Sequence, residues 1–495
     1  MSRTADSAVD LSINDPNRTL SWRHGLAIAL GVPVLILPSI TVFSSMIGAF
    51  AIVIWMLSVF QGFMQIIAYG ELASRYPNAI GIPGFVQAVF GGEKKNQYGL
   101  GKFIGGFCAW NYWFTWNAVL SVFAILIGNY LISIIPVMND FAATNPWFSK
   151  VISLAVGVLV FSALMLVNYA GFGGGAVVGY VLAVLSLVPL FVISIAGLFS
   201  GHFQMSNITQ HMFPTDWSWN ATGVIFFIGI LALAQWSACG FEAAAIYAPQ
   251  YKKPRKDIPK ALFGCGLVCI FSYFLVQTAC TGVLGMDGLA ANYNDPMLAL
   301  AQISMGNIGA IISIIMLLAA MVMIIQTALL GSGSAMASMA EEGNIQKIFG
   351  KRNKHGVPMG GMVTVSILNL GIIALGDSAG SILAAAALGY VIANGLALFA
   401  YVKASRNFKN QKIDDAQVFH APKIWVGVAL AFGIIQIPFY IIGTVYLNLI
   451  DYGITDVLIG VVIICLFIPL WLLARWQNLK KLKDTEAPVE ANATT

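Results

Sequence analysis

The sequence predicts an all-α membrane protein with twelve transmembrane helices, and three observations carry that prediction. The first is composition: of 495 residues, 58% are hydrophobic and only 9% are charged, a balance foreign to a soluble domain of this size. The second is spacing. Apolar runs of about 20 residues recur along the chain, each enough to cross roughly 30 Å of hydrocarbon at about 1.5 Å per residue. The third is where the cations fall. With a cytoplasmic N-terminus, 25 of the 26 Lys and Arg residues lie on the inner side and only Lys150 lies outside.

In chain order the predicted spans are 24–45, 47–70, 103–136, 149–169, 174–199, 221–249, 261–285, 306–338, 358–375, 378–402, 423–446 and 454–475. Polarity sets each boundary. Arg3, Arg18 and Arg23 precede the first span, and Arg75, Lys94, Lys95 and Lys102 fill the connection after the second. Further cations run from Lys252 to Lys260 after the sixth span, Lys347 to Lys354 after the eighth, Lys403 to Lys423 after the tenth and Arg475 to Lys483 after the last. Residues 1–23 and 476–495 read as polar cytoplasmic tails, with no cleaved leader expected. Between them, 24–402 reads as a ten-helix core, 403–422 as a cytoplasmic loop and 423–475 as two peripheral helices.

The net charge of +5 therefore reports topology, and no nucleic-acid partner is expected. Cys108, Cys239, Cys265, Cys269, Cys280 and Cys465 all fall within spans or at their ends, without paired loop spacing, so neither a disulfide framework nor a metal site is expected.

Two spans carry breakers. The first contains "LGVPVLILPSI", with Gly31, Pro33 and Pro38, and the sixth contains "SACGFE", with Gly240 beside Glu242. Proline removes a backbone donor and clashes with the preceding turn, so both helices are expected to be interrupted within the bilayer. They lie five spans apart, where two inverted five-helix repeats would place equivalent broken helices, and such breaks are the best sequence pointer to a transporter's site. Kinks in two packed helices would account for the same residues.

Glu242 stands out most. A carboxylate inside a span costs roughly 2.5–3.5 kcal/mol on insertion scales, so it should face the bundle or a wet cavity, where it is a functional hypothesis by default. The structural alternative is a neutral carboxyl that caps amides freed by the break. Trp236 sits near mid-depth, whereas membrane tryptophans concentrate at the interfaces, and a ring there can gate a site or hold a cation. Ser237, Ala238 and Cys239 would expose carbonyls at the break, suited to an ammonium group.

Those stretches, with "AYGELASRYPNAIG" (68–81), "AWNYWF" (109–114) and "AMASMAEEGNIQKIFGKRNKHGVPMGG" (335–361), resemble the amino acid-polyamine-organocation superfamily of secondary transporters, in the same order over nearly the whole chain. The resemblance implies the leucine-transporter fold: spans 1–5 and 6–10 as inverted repeats, two extra helices, and alternating access around the breaks. It implies substrate contacts at Gly31, Val32 and Pro33, at Tyr112 with Trp116 and Asn117 on the next turn, and at Trp236, Ser237, Ala238 and Cys239, with Glu242 and Trp236 in coupling or gating.

The chain departs from the family at two points. Gly-Val-Pro replaces the usual Gly-Ser-Gly type of triplet, so one amide donor and a hydroxyl are missing where a substrate carboxylate would bind. That tilts the reading from amino acids toward amines. Ser186 stands where some relatives carry a lysine that mimics sodium, leaving proton, sodium or exchange coupling open.

The remaining motifs read blandly. "YKKPRKDIPKAL" is a topology determinant and lipid-headgroup contact, Glu71 pairs with Arg75 one turn away, and the glycines at 173–175 lack any Walker lysine. A channel would need a ring of charge or a continuous polar stripe. A membrane enzyme would need a buried dyad or cluster, whereas His24, His202, His211, His355 and His420 lie near span ends or in loops. The expected protein is thus a permease of a plasma or bacterial inner membrane, monomer or homodimer, without cofactor or enzymatic activity. It would handle an amino acid or amine, with protons or sodium and membrane lipids as its other partners.

Overall fold

A computed structural model describes residues 18–91, 99–238, 240–375, 379–408, 411, 418–451 and 453–478. Among them the chain is helical and forms no strand; the one extended pairing is an isolated bridge between Leu20 and Tyr251. In order the helices are α1 (Trp22–Ala29), α2 (Ile40–Ile47), α3 (Ala51–Arg75), α4 (Gly81–Phe90), α5 (Leu100–Ile134), α6 (Pro136–Thr144), α7 (Trp147–Tyr169), α8 (Phe172–Phe199) and α9 (Ser206–Thr209). There follow α10 (Ala221–Ala238), α11 (Pro254–Ala291), α12 (Pro296–Glu341), α13 (Met359–Leu375), α14 (Ala379–Ser405), α15 (Ile424–Ile434), α16 (Ile441–Asp451) and α17 (Ile454–Cys465).

Ten helical stretches among the described residues are long and apolar enough to cross a membrane, against the twelve spans expected. The difference has two sources. The expected span 24–45 is broken between α1 and α2, and its second half runs on into α3 as a single stretch, Leu37–Arg75. The expected span 358–375 corresponds to α13, which has only 17 residues. Apolar side chains point outward where lipid would lie: Val177, Val181, Val184 and Val188 form an exposed stripe along α8, stepping by helical turns.

Both expected interruptions are present. From Leu30 to Ser39 the backbone leaves the α-helix and closes short turns instead. The Val32 amide donates to Ala29 O at 3.0 Å, the Leu35 amide to Val32 O at 3.0 Å and the Ser39 amide to Ile36 O at 2.8 Å. Pro33 has no amide to offer, and the tight turns satisfy neighbours that the regular ladder would lose. The second break follows Ala238, beyond which Gly240–Gln250 winds as a 3-10 helix containing Pro249.

Small residues let the breaks approach other elements. A Cβ on Gly31 would stand 2.5 Å from Thr327 Oγ1 of α12, and one on Gly240 would sit 3.3 Å from the Trp116 ring and 3.4 Å from Val32 Cγ2. The broken segments therefore touch each other and α5.

Two polar clamps hold the cation-rich end of the bundle. Leu20 pairs with the chain after the second break, its amide donating to Gln250 O at 2.9 Å and its carbonyl accepting from the Lys252 amide at 2.8 Å. Arg18 adds bonds to Tyr251 O and Asn78 Oδ1 at 3.0 and 3.1 Å. In the other clamp, Arg75 bonds the buried carboxylate of Glu71 at 2.9 Å, as expected one turn away. The second oxygen of Glu71 accepts from Tyr401 Oη at 2.9 Å and from the Ala421 amide at 3.2 Å.

Candidate functional site

The site grows out of the second break. Glu242, two residues beyond Gly240, lies 1% exposed between α5 and α14. Two phenols reach its carboxyl: Tyr112 of α5 donates to Oε1 at 3.4 Å and Tyr390 of α14 donates to Oε2 at 3.1 Å. Both tyrosines are fully buried. Each carboxyl oxygen thus accepts one hydroxyl, and no cationic side chain among the described residues bonds to it.

Beside it lies a narrow void of about 10 Å³, bounded by Leu35 from the first break, Thr115 and Trp116 from α5, Trp236 from α10 and Tyr390. That volume holds roughly one water molecule, so the geometry is that of a shut site with an indole on two sides. The Trp116 indole packs beside the Tyr112 ring, 6.3 Å away centroid to centroid.

The two breaks are joined by polar contacts. The Ser237 hydroxyl donates to Leu35 O at 3.3 Å, and Tyr273 of α11 places its hydroxyl 2.6 Å from Ser237 O, 3.1 Å from Ser237 Oγ and 3.3 Å from Val32 O.

Of the residues singled out in the sequence, Val32, Tyr112, Trp116, Trp236, Ser237 and Glu242 come together here, with Gly31, Pro33 and Ala238 in the adjoining backbone. Asn117 turns elsewhere, its side-chain oxygen accepting from Asn369 Nδ2 at 3.0 Å. Ser186 bonds its own helix through Leu182 O. Cys239 lies outside the described residues. Trp110 and Trp113, from the same stretch of α5, are buried, and Trp110 Nε1 donates to Ile463 O at 2.8 Å.

Sequence reasoning missed Tyr273, Tyr390 and Thr115. Each is an ordinary member of an uninterrupted apolar helix, and only the helix packing reveals its aim.

Farther out, two wider cavities of about 630 and 420 Å³ flank α2 and share Ser45, Pro214 and Tyr293. Asp216 and Asp451 line the first and Asp287 the second, and no basic side chain other than His211 lines either. No group of His, Cys, Asp and Glu among the described residues is arranged to hold a metal ion.

A family model described as amino acid permease matches residues 20–469. A putative amino-acid transporter of Clostridium perfringens is 24% identical over 411 residues, covering 78% of each chain. A probable polyamine transporter of Arabidopsis thaliana is 26% identical over 303 residues, 60% of this chain and 55% of that one. The putrescine transporter of Escherichia coli K12 is 23% identical over 336 residues, 66% of this chain and 68% of that one.

Proposed function

Because the chain belongs to the amino acid permease family, we propose that it is a secondary transporter of amino acids or their decarboxylated amines, working by alternating access across a plasma or bacterial inner membrane. The observation that carries this reading is the meeting of two interrupted helices at a narrow void beside buried Glu242. Regular helices satisfy their own backbone, so a bilayer protein keeps breaks where they line a ligand path. Residues 24–402 form the transport core in this reading. The breaks at Gly31–Pro33 and Ser237–Gly240 are the paired interruptions of a leucine-transporter-like fold, with the last two spans peripheral and both termini cytoplasmic.

Within that class the site favours an amine over an α-amino acid. The Val32 amide is already committed to Ala29 O, Pro33 has none, and neither break contains Lys, Arg or His. A substrate carboxylate would find few donors there, while an ammonium finds carbonyl oxygens, two indoles and Glu242. The acidic mouths flanking α2 would raise the local concentration of cations. Glu242 is the coupling group in this account, exchanging a proton or the substrate's ammonium in turn, so proton-coupled import and amino acid–amine exchange both use the same residues.

Counterflow in proteoliposomes tests this directly. Vesicles preloaded with a mixed pool should take up labelled amines saturably and in exchange. Flux that neither saturates nor depends on the internal pool would point to a channel and end the proposal, and exchange of amino acids alone would end its amine half.

A further inference from the structure

Tyr273 belongs to neither broken helix, yet its hydroxyl stands against both. It is wholly buried on α11, with its ring 4.9 Å from that of Trp55, centroid to centroid. Trp55 is fixed in turn by a bond from Nε1 to Gln277 Oε1 at 3.0 Å, one helical turn along from Tyr273. This stack aims one phenol at three oxygens: Ser237 O at 2.6 Å, Ser237 Oγ at 3.1 Å and Val32 O at 3.3 Å.

A phenol has a single proton. The short contact to Ser237 O takes most of it, and Val32 O, which also accepts the Leu35 amide, gets the longer share. An ammonium group brings three donors and a full charge to the same oxygens, and charge-assisted bonds are roughly twice as strong as neutral ones. Leu35, whose carbonyl accepts the Ser237 hydroxyl, also lines the small void.

We infer that Tyr273 is a resident competitor in the substrate site: its hydroxyl holds the carbonyls of Val32 and Ser237 in the empty protein, and the substrate's ammonium displaces it on binding. The inference rests on the transport reading for its ligand class and deepens it by naming a residue that sets specificity. A ligand must outbid the phenol for these oxygens. An alcohol, with one neutral donor, gains nothing by the exchange, whereas an ammonium does.

The test uses purified full-length protein and Tyr273→Phe, which keeps the ring on Trp55 and removes only the hydroxyl. A panel of common amino acids and their decarboxylation amines is first ranked by thermal shift on the wild type. The best ligand and its hydroxyl analogue are then titrated calorimetrically against both proteins. Loss of the competitor should tighten binding of the ammonium ligand about fivefold, and the alcohol, which in the wild type only trades one neutral donor for another, should tighten as well.

Weaker or unchanged ammonium binding overturns the inference and leaves the transport reading standing. A wild type that binds no member of the panel overturns both. Should Tyr273→Phe fail to fold, Trp55→Phe keeps an aromatic stack but releases Gln277, loosening Tyr273. It should tighten ammonium binding by a smaller factor, and a loss of affinity would count against the idea.

Discussion

Tyr390 and Glu242, 148 residues apart in the chain, meet through a 3.1 Å hydrogen bond in a site shielded from solvent. The bond ties α14 to the segment after the second break. Any change in the protonation or occupancy of Glu242 is therefore felt on both elements at once.

Glu242→Gln keeps the shape and removes the titratable proton. Transport by this variant should lose whatever pH dependence the wild type shows, and its rate at neutral pH should fall about tenfold, since bonds to a charged group contribute about 1.5–3 kcal/mol. Uptake measured across a pH series decides it; a variant with the wild-type profile removes Glu242 from coupling.

Pro33→Gly restores an amide at the first break. If missing donors are what disfavour carboxylates, affinity for amino acids should rise about fivefold, the worth of roughly one hydrogen bond, while amines are unaffected. Competition against a labelled substrate measures both, and flat or falling affinity for every amino acid tested would remove the break from specificity.

Gly31→Ala tests the packing of the same turn. The added carbon would lie 2.5 Å from Thr327 Oγ1 and 3.3 Å from Met323 O, so α12 must give way, at a cost of about 1–3 kcal/mol. Gly371→Ala serves as the control, because nothing lies within 4 Å of its added carbon. Thermal unfolding in detergent should show a Tm several degrees lower for the first and little change for the second.

Glu342, just past the end of α12, has its pKa raised by burial, with Lys102, Ser338 and Asn344 opposing the shift. A carboxyl raised on folding favours the folded state while protonated, and that advantage disappears as pH climbs from the usual glutamate value of 4.5 through the raised one. Relative to wild type, Glu342→Gln should therefore gain stability as pH rises through that interval. Unfolding curves at several pH values check the sign, and a gap that widens in the opposite direction refutes it.

Much of this architecture could be read from the residues because the bilayer imposes one-dimensional rules. A polar residue ends a span, and Pro33 or Gly240 breaks one whatever the neighbours do. Glu242 is visible for the same reason, as a lone charge in an apolar run. Tyr273 and Tyr390 are invisible by those rules, since an aromatic in an apolar helix means packing, lipid or ligand depending on which helices lie opposite. The clamp around Glu71 shows the limit. Arg75 is one turn away and was expected, but Tyr401 and Ala421 come from 330 and 350 residues along the chain. Span boundaries blur at the same kind of place: Pro38 ends up inside a 3-10 turn that leads into α2 and onward to α3, so length alone does not separate two passes.

The pairing of Leu20 with Gln250 and Lys252 has a mechanical side. Two half-helices, each hinged at its own break, would have independent swings, and a device with two loose levers can open one without the other. Riveting the start of one lever to the far end of the other removes that freedom. What remains is a single coordinate, so a tug on the chain ahead of Trp22 would be delivered to the turn that carries Glu242.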